Sequence, residues 1–211
     1  MRVIKDAEVR KNEILDVAER LFCTKGFDST STNDILKEIG IARGTLYYHF
    51  KSKEDILDAM IERITIGVTE KAATIAGNKD IPVLERMTQT IMSLNIDNEI
   101  GHVVMEQMHR PQNALLHQKM QTSLLSKVNP IITDIVNDGI AQGICHSDYP
   151  AETVEMVMIY ATMAFDDLVD QTPEEEQKKV MAFIYNVERL LEMKPGSLLE
   201  TMMPIFGDKP E

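Results

Sequence analysis

The sequence has no tryptophan, only two cysteines, and few prolines and glycines, eight and ten in 211 residues. Cys23 and Cys145 form no C-x-x-C pair and no metal-ligand spacing, so they read as small buried apolar residues in a reducing compartment. No apolar run approaches the roughly 18 residues needed to cross a bilayer. The opening stretch "MRVIKDAEVRKNEIL" lacks the apolar core of a signal peptide, and the expectation is a soluble, cytosolic protein. Alternating strand patterns of useful length are also missing. Positive charge is scarce: 22 Lys and Arg stand against 34 Asp and Glu, a net charge of −12. That excludes a protein that coats itself in nucleic acid over its whole surface.

What is present points to helices. Apolar residues make up 44% of the chain, enough for a core and too many for a disordered chain. Fourteen methionines add adaptable packing. Ile14, Ala18, Leu21 and Phe22 follow a helical repeat that Gly26 ends. Ser31 with Asp34 fits a capping box for a short second helix, closed by Gly40. A third short helix is predicted near Ala42 to His49, and Ser52 with Asp55 opens a long fourth. Further on, Asp80 and Pro82, Pro111, Asn129-Pro130, Gly143 and Pro150 punctuate the chain. The helix from Pro150 is predicted to run to about Asp170. Thr172, Pro173 and three glutamates form a strong helix start, stopped by the "KPG" at 194 to 196. The prediction is an all-α protein of about nine helices.

One short stretch breaks the acidic pattern. "IGIARGTLYYHFKSKED", residues 39–55, holds Tyr47, Tyr48, His49 and Phe50 in a row. Residues 37–53 carry Lys37, Arg43, Lys51 and Lys53 against Glu38 alone, a local +3 that leaves −15 for the rest. At about 100° per residue, Leu46 and Phe50 share one helix face with Ile41 just before them. Gly44, Thr45 and Tyr48 fall opposite, with Tyr47 and His49 on the flanks. Such a helix is anchored on one side and open on the other, where small residues let a backbone approach base edges. Two short helices joined by "GIA" form a helix-turn-helix pattern. The bland alternative is that the aromatics are ordinary core-edge residues.

The ordered run "ILDVAERLFCTKGFDSTSTNDILKEIGIARGTLYYHFKSKEDIL" resembles the N-terminal domain of TetR-family transcriptional regulators. The similarity covers residues 8 to 55. It departs at Leu36-Lys37-Glu38-Ile39, where the family usually has alanines. The resemblance implies a homodimeric repressor that leaves a palindromic operator when a small molecule binds its C-terminal domain. It implies residues 1–52 as the DNA-binding domain and 53–211 as a helical ligand-binding and dimerisation domain. Carried over by position, Thr32, Ala42, Arg43, Gly44, Thr45, Tyr47, Tyr48, His49 and Lys53 are the expected DNA-facing residues. Thr32 and Lys53 would meet phosphates, Arg43 and Thr45 base edges.

For the rest of the chain the resemblance implies architecture and not ligand. The last two long helices would pair with their two-fold mates, through Val154, Val157, Met158, Ala161 and Phe165 and through Val180, Ile184, Val187 and Leu191. Both sets recur at helical spacing, a pattern equally expected of internal core. Met87, Met105, Met108, Met120, Tyr160 and Met163 are candidate pocket residues, because thioethers adapt to varied apolar ligands. His102, Glu106 and His109 share one helical face. They could hold a transition metal, or form a polar pocket wall. Glu106, Asp166 and Asp167 offer countercharge for a lipophilic cation, while acyl thioesters and aromatic compounds stay equally open. No cofactor is called for. A helical metalloenzyme built on His102, Glu106 and His109 would leave residues 39–55 without a purpose, and no nucleophile–base pair accompanies it.

Overall fold

A computed structural model describes residues 7–94, 111–165 and 172–207, with side chains described through residue 202. Among the described residues all regular structure is helical. The helices are α1 (Ala7–Lys25), α2 (Thr32–Ile39), α3 (Arg43–His49), α4 (Lys53–Gly77) and α5 (Val83–Ser93). A 3-10 turn at Pro111–Asn113 leads into α6 (Ala114–Ala141), followed by α7 (Pro150–Ala164), α8 (Pro173–Leu190) and α9 (Ser197–Gly207).

The punctuation works as its chemistry dictates. Gly26, φ +89, ends α1 and donates its N–H to Phe22 O at 3.0 Å. Ser31 caps α2 in a reciprocal box: Asp34 N–H donates to Ser31 Oγ, and Ser31 N–H donates to Asp34 Oδ2 at 2.9 Å. The Ser31 hydroxyl also donates to Asp34 Oδ2, at 2.7 Å, and this bond, then the one from Ser31 N–H, assisted by Lys25, hold the Asp34 carboxyl down to about 2 from its ordinary 3.8. Thr172 and Glu175 form the same box at the start of α8. At α4 the box is displaced by one residue. Asp55 N–H donates to Ser52 Oγ, but the Asp55 carboxylate accepts from Lys51 N–H at 2.8 Å. Pro130, expected either to start a helix or to kink one, sits inside α6. Helix α7 gives way at Phe165, short of the predicted reach to Asp170, and residues 166–171 lie outside the described residues.

The chain divides into two compact units. The first holds described residues 7–67 and 111–123, the second 68–94, 124–165 and 172–207. Compactness therefore does not follow the expected boundary at 52 and 53. The cause is packing: Ile56, Leu57, Met60, Ile61, Leu116 and Met120 complete the core around Ile14, Phe22, Ile35, Leu46 and Phe50. Within this unit Arg63 ties α4 to α1, with Nη1 on Asp16 at 2.7 Å and Nη2 on Glu19 at 2.8 Å.

The second unit builds its own core from α5, α6, α7, α8 and α9, including Val83, Met87, Ile132, Val136, Val154, Ile184, Val187, Leu191 and Leu198. Its polar fastener is Glu188, only 4% exposed. The carboxylate accepts from Gly196 N–H at 2.7 Å, Leu198 N–H at 2.8 Å and Leu199 N–H at 3.2 Å. It thereby satisfies backbone donors at the start of α9 that would otherwise be orphaned in the core.

Candidate nucleic-acid interface and apolar cavity

Helix α3 is held from one side. Leu46 and Phe50 are buried in the first unit's core, and Ile41 packs against that core. Helix α2 is fixed to α1 by Arg20 on Glu38 at 2.8 Å and by Lys25 near Asp34 at 3.6 Å. The unusual Leu36 and Ile39 pack against the same core, so the bulk that replaces alanines is absorbed there.

The opposite side of α3 is open. Tyr48 is 78% exposed and Tyr47 40%. Ala42, Arg43 and Gly44 are exposed, while Thr32, Thr45 and His49 are half-buried. A Cβ added to Gly44 would meet nothing within 4 Å. The protein's own packing therefore does not require glycine there. The Arg43 guanidinium lies 5.3 Å from the Tyr47 ring centroid. The neighbouring Arg43 guanidinium, and after it the Thr32 hydroxyl, hold the Tyr47 phenol below its ordinary value of 10.0. The His49 ring stands edge-on to Tyr48 with centroids 4.9 Å apart.

Lys53, expected at a phosphate, is engaged within its own unit. Its ammonium donates to Phe27 O at 2.7 Å and sits 4.0 Å from the Phe27 ring centroid. It is thereby tied to the α1–α2 connection.

In the second unit, Met87, Ile91, Ile132, Val136, Val154, Val157, Met158, Ala161, Phe183, Ile184, Val187, Leu191, Leu198 and Met202 line, with Thr153, an apolar cavity of about 120 Å³. Of the expected pocket residues, Met87 is in this lining. Met120 is not; it is buried in the first unit's core. Tyr160 and Met163 face outward, Met163 at 71% exposure. His102, Met105, Glu106, Met108 and His109 lie outside the described residues, as do Asp166 and Asp167. Among the described residues no group of three His, Cys, Asp or Glu side chains could hold a metal ion.

The expected dimer stripes divide in the same way. Val154, Ile184, Val187 and Leu191 are buried in the second unit's own core. Val157, Met158, Ala161, Phe165 and Val180 are half-buried. The apolar groups left exposed are their helical neighbours: Met156, Ile159, Tyr160 and Met163 on α7, and Met181, Tyr185 and Leu190 on α8. Met156, Tyr160, Ala182, Asn186 and Leu190 border an open groove between α7 and α8. Val157, Phe183 and Val187 line both that groove and the inner cavity, so the wall between them is one side chain thick. Tyr160 stacks on Phe183 at 5.8 Å, and Phe165 meets the same ring edge-on at 5.4 Å.

Sequence reasoning missed Arg86. This side chain is 1% exposed, yet it carries a full charge. One nitrogen, Nη2, donates to Asp138 Oδ2 at 2.7 Å, and Lys79 also pairs with that carboxylate. Together, Lys79 first and then Arg86, these cations lower the Asp138 pKa. Arg86 Nε and Nη1 have no acceptor among the described residues, and neither do the buried hydroxyls of Thr88 and Thr90. The sequence signal was the segment "VLERMTQT", which places polar residues one turn apart beside apolar ones.

Comparison with known proteins follows the two units. A family model described as "Bacterial regulatory proteins, tetR family" matches residues 14–60, and one described as "Tetracyclin repressor-like, C-terminal domain" matches residues 98–185. A helix-turn-helix-type transcriptional regulator of Staphylococcus aureus (strain USA300) is 34% identical over 97 residues, 45% of this chain. The match spans about half, 52%, of that relative's length. A putative TetR-family regulator from Syntrophomonas wolfei superposes with a TM-score of 0.66 at 17% identity, covering 89% of this chain and 97% of its own. A TetR-family regulator from Pectobacterium atrosepticum gives 0.60 at 20% identity, covering 92% and 100%. At these identities the structural likeness speaks for the fold. The two domain matches, in order along the chain, carry the assignment: this chain belongs to the TetR family of bacterial regulatory proteins.

Proposed function

We propose that the protein is a ligand-responsive transcriptional repressor that binds a palindromic operator as a homodimer and is released by a small molecule. DNA binding is assigned to residues 1–52, ligand binding and dimerisation to 53–211. The observation that carries the reading is the open side of α3, with Tyr48 78% exposed on a helix whose other side is buried. Aromatic and cationic groups in water beside an uncrowded glycine suit a major groove. Arg43 is the leading base reader, and Thr45 the second. Thr32, Tyr47, Tyr48 and His49 flank them at the phosphates. Lys53 reaches a phosphate only by leaving Phe27.

Dimerisation is assigned to the exposed apolar residues of α7 and α8. Such a band is costly in water and is covered well by its own two-fold copy. A two-fold pair would set two copies of α3 about 34–36 Å apart along one DNA face and so read an inverted repeat. The net charge of −12 fits the same picture, since it disfavours non-specific binding away from the basic segment. No described helix is long and apolar enough to cross a membrane, and a cytoplasmic location suits a DNA-binding role. Selection from random duplex DNA tests the reading. Recovery of an inverted repeat supports it, and recovery of no preferred sequence overturns it.

A further inference from the structure

We infer that the effector is a compact uncharged hydrocarbon that fills the apolar cavity of the second unit, and that its presence is read at the α7–α8 groove through Phe183. The inference rests on reading the second unit as the effector-binding unit. Among the described residues, every wall residue apart from Thr153 is aliphatic, thioether or aromatic, and no polar atom faces the space. The Thr153 hydroxyl pairs with Ser147 Oγ at 3.2 Å, so Thr153 lends the wall its hydrocarbon part alone. A water held inside a protein needs about two to four polar partners, and an apolar void of about 150 Å³ stays dry and takes up benzene. This cavity, about 120 Å³, is of that order. A hydrocarbon restores the contacts its lining lacks and leaves no hydrogen bond unmade. A hydroxyl or carboxylate on the ligand would be buried without a partner. Met87, Met158 and Met202 border the space, and their unbranched thioethers adjust to the outline of a ring.

The groove supplies the readout. Val157, Phe183 and Val187 belong to both surfaces, and Phe183 is the largest of the three. Its half-buried ring carries Tyr160 stacked on it at 5.8 Å and Phe165 edge-on at 5.4 Å. Tyr160 is exposed within the apolar band assigned above to dimerisation. A molecule in contact with Phe183 from inside therefore acts on a ring that the partner would cover. By linkage, the factor by which it weakens operator binding is the factor by which operator weakens its own.

The test uses the full-length chain with benzene, toluene, phenol and benzoate, and binding is read by calorimetry and thermal shift. Benzene should bind saturably and raise the melting temperature. Phenol should bind at least about tenfold more weakly, the factor expected when one hydroxyl is left without a partner, and benzoate should not bind. Ala161→Leu, which adds bulk to the wall, should abolish benzene binding. Should that variant not fold, Ile184→Val carries the test: it takes one methylene from the wall and should shift preference from benzene toward toluene. In the unaltered chain, saturating benzene should weaken operator binding by about tenfold or more. It should also shift the ring resonances of Tyr160 in tyrosine-labelled protein and leave those of Tyr149, on the connection before α7, in place. No saturable benzene binding overturns the inference, as does phenol or benzoate binding as tightly as benzene. Benzene affinity untouched by Ala161→Leu, or a benzene-to-toluene ratio untouched by Ile184→Val, places the molecule elsewhere and overturns it too. Bound benzene that leaves operator affinity or Tyr160 unchanged refutes the effector role. Operator binding without benzene keeps the two readings apart: a chain that binds operator but no hydrocarbon refutes the cavity ligand alone. A chain that binds hydrocarbon but no DNA refutes the regulator.

Discussion

Helix α3 and helix α7 teach opposite lessons about amphipathic patterns. In α3 the two sides differ in kind: Leu46 and Phe50 go inward, and Arg43, Gly44, Tyr47 and Tyr48 stay in water. In α7 the run "TVEMVMIYATMA" is apolar nearly all round. Periodicity identifies an inward side only when the outward side is polar. In α7 both sides are apolar, one set against the unit's own core and one exposed. The exposed set is what a partner would cover.

The largest expected effect strikes the second unit's core. Glu188→Ala strands three backbone N–H groups and should cost about 3 kcal/mol or more in urea unfolding. Ile184→Ala, from the buried half of the expected dimer stripe, should cost about 2–5 kcal/mol. By contrast, Met163→Glu together with Tyr185→Glu should leave the fold intact and shift sedimentation toward monomer. A dimer that survives those charges, but dissociates when Ile184 is trimmed, would reverse the contrast between inner and outer faces.

On the α3 side, Arg43→Ala should weaken binding to the selected operator by about 1–3 kcal/mol and relax sequence preference, measured by fluorescence anisotropy. Lys53→Ala separates two roles. Its tie to Phe27 predicts a stability loss of about 1 kcal/mol with the salt slope of DNA binding unchanged. A slope reduced by about one unit would instead make Lys53 a phosphate contact. The smallest effect concerns pH. Because the Asp34 carboxyl is depressed in the folded chain, its contribution to α2 is full above its ordinary 3.8. It is lost as pH falls through about 2. An NMR titration of Asp34 with a midpoint near 3.8 would remove the capping box from solution.

Legibility in the sequence followed locality. Caps at Ser31 and Thr172, the stops at Gly26 and Gly40, and the two-sided α3 depend on residues a few positions apart, and all were readable. Met120 was not. It looks like other methionines, and only the packing of α6 beside Met60 and Ile61 places it in the first unit's core. The internal tie of Lys53 spans 26 positions to Phe27, and the pairing of Arg86 spans 52 to Asp138. Neither pairing has a local signature. The inner and outer faces of α7 and α8 were unreadable for the composition reason above.

The central claim is that α3 is open because DNA approaches it closely, and Gly44→Ala tests that most directly. In the free protein an added Cβ at Gly44 meets nothing within 4 Å. Alanine should leave the melting temperature unchanged or raise it, since it favours a helix over glycine by up to about 1 kcal/mol. Operator affinity, measured by anisotropy on the same preparation, should fall by about tenfold or more, roughly 1.4 kcal/mol. Unchanged operator affinity in a stable Gly44→Ala protein would contradict the account.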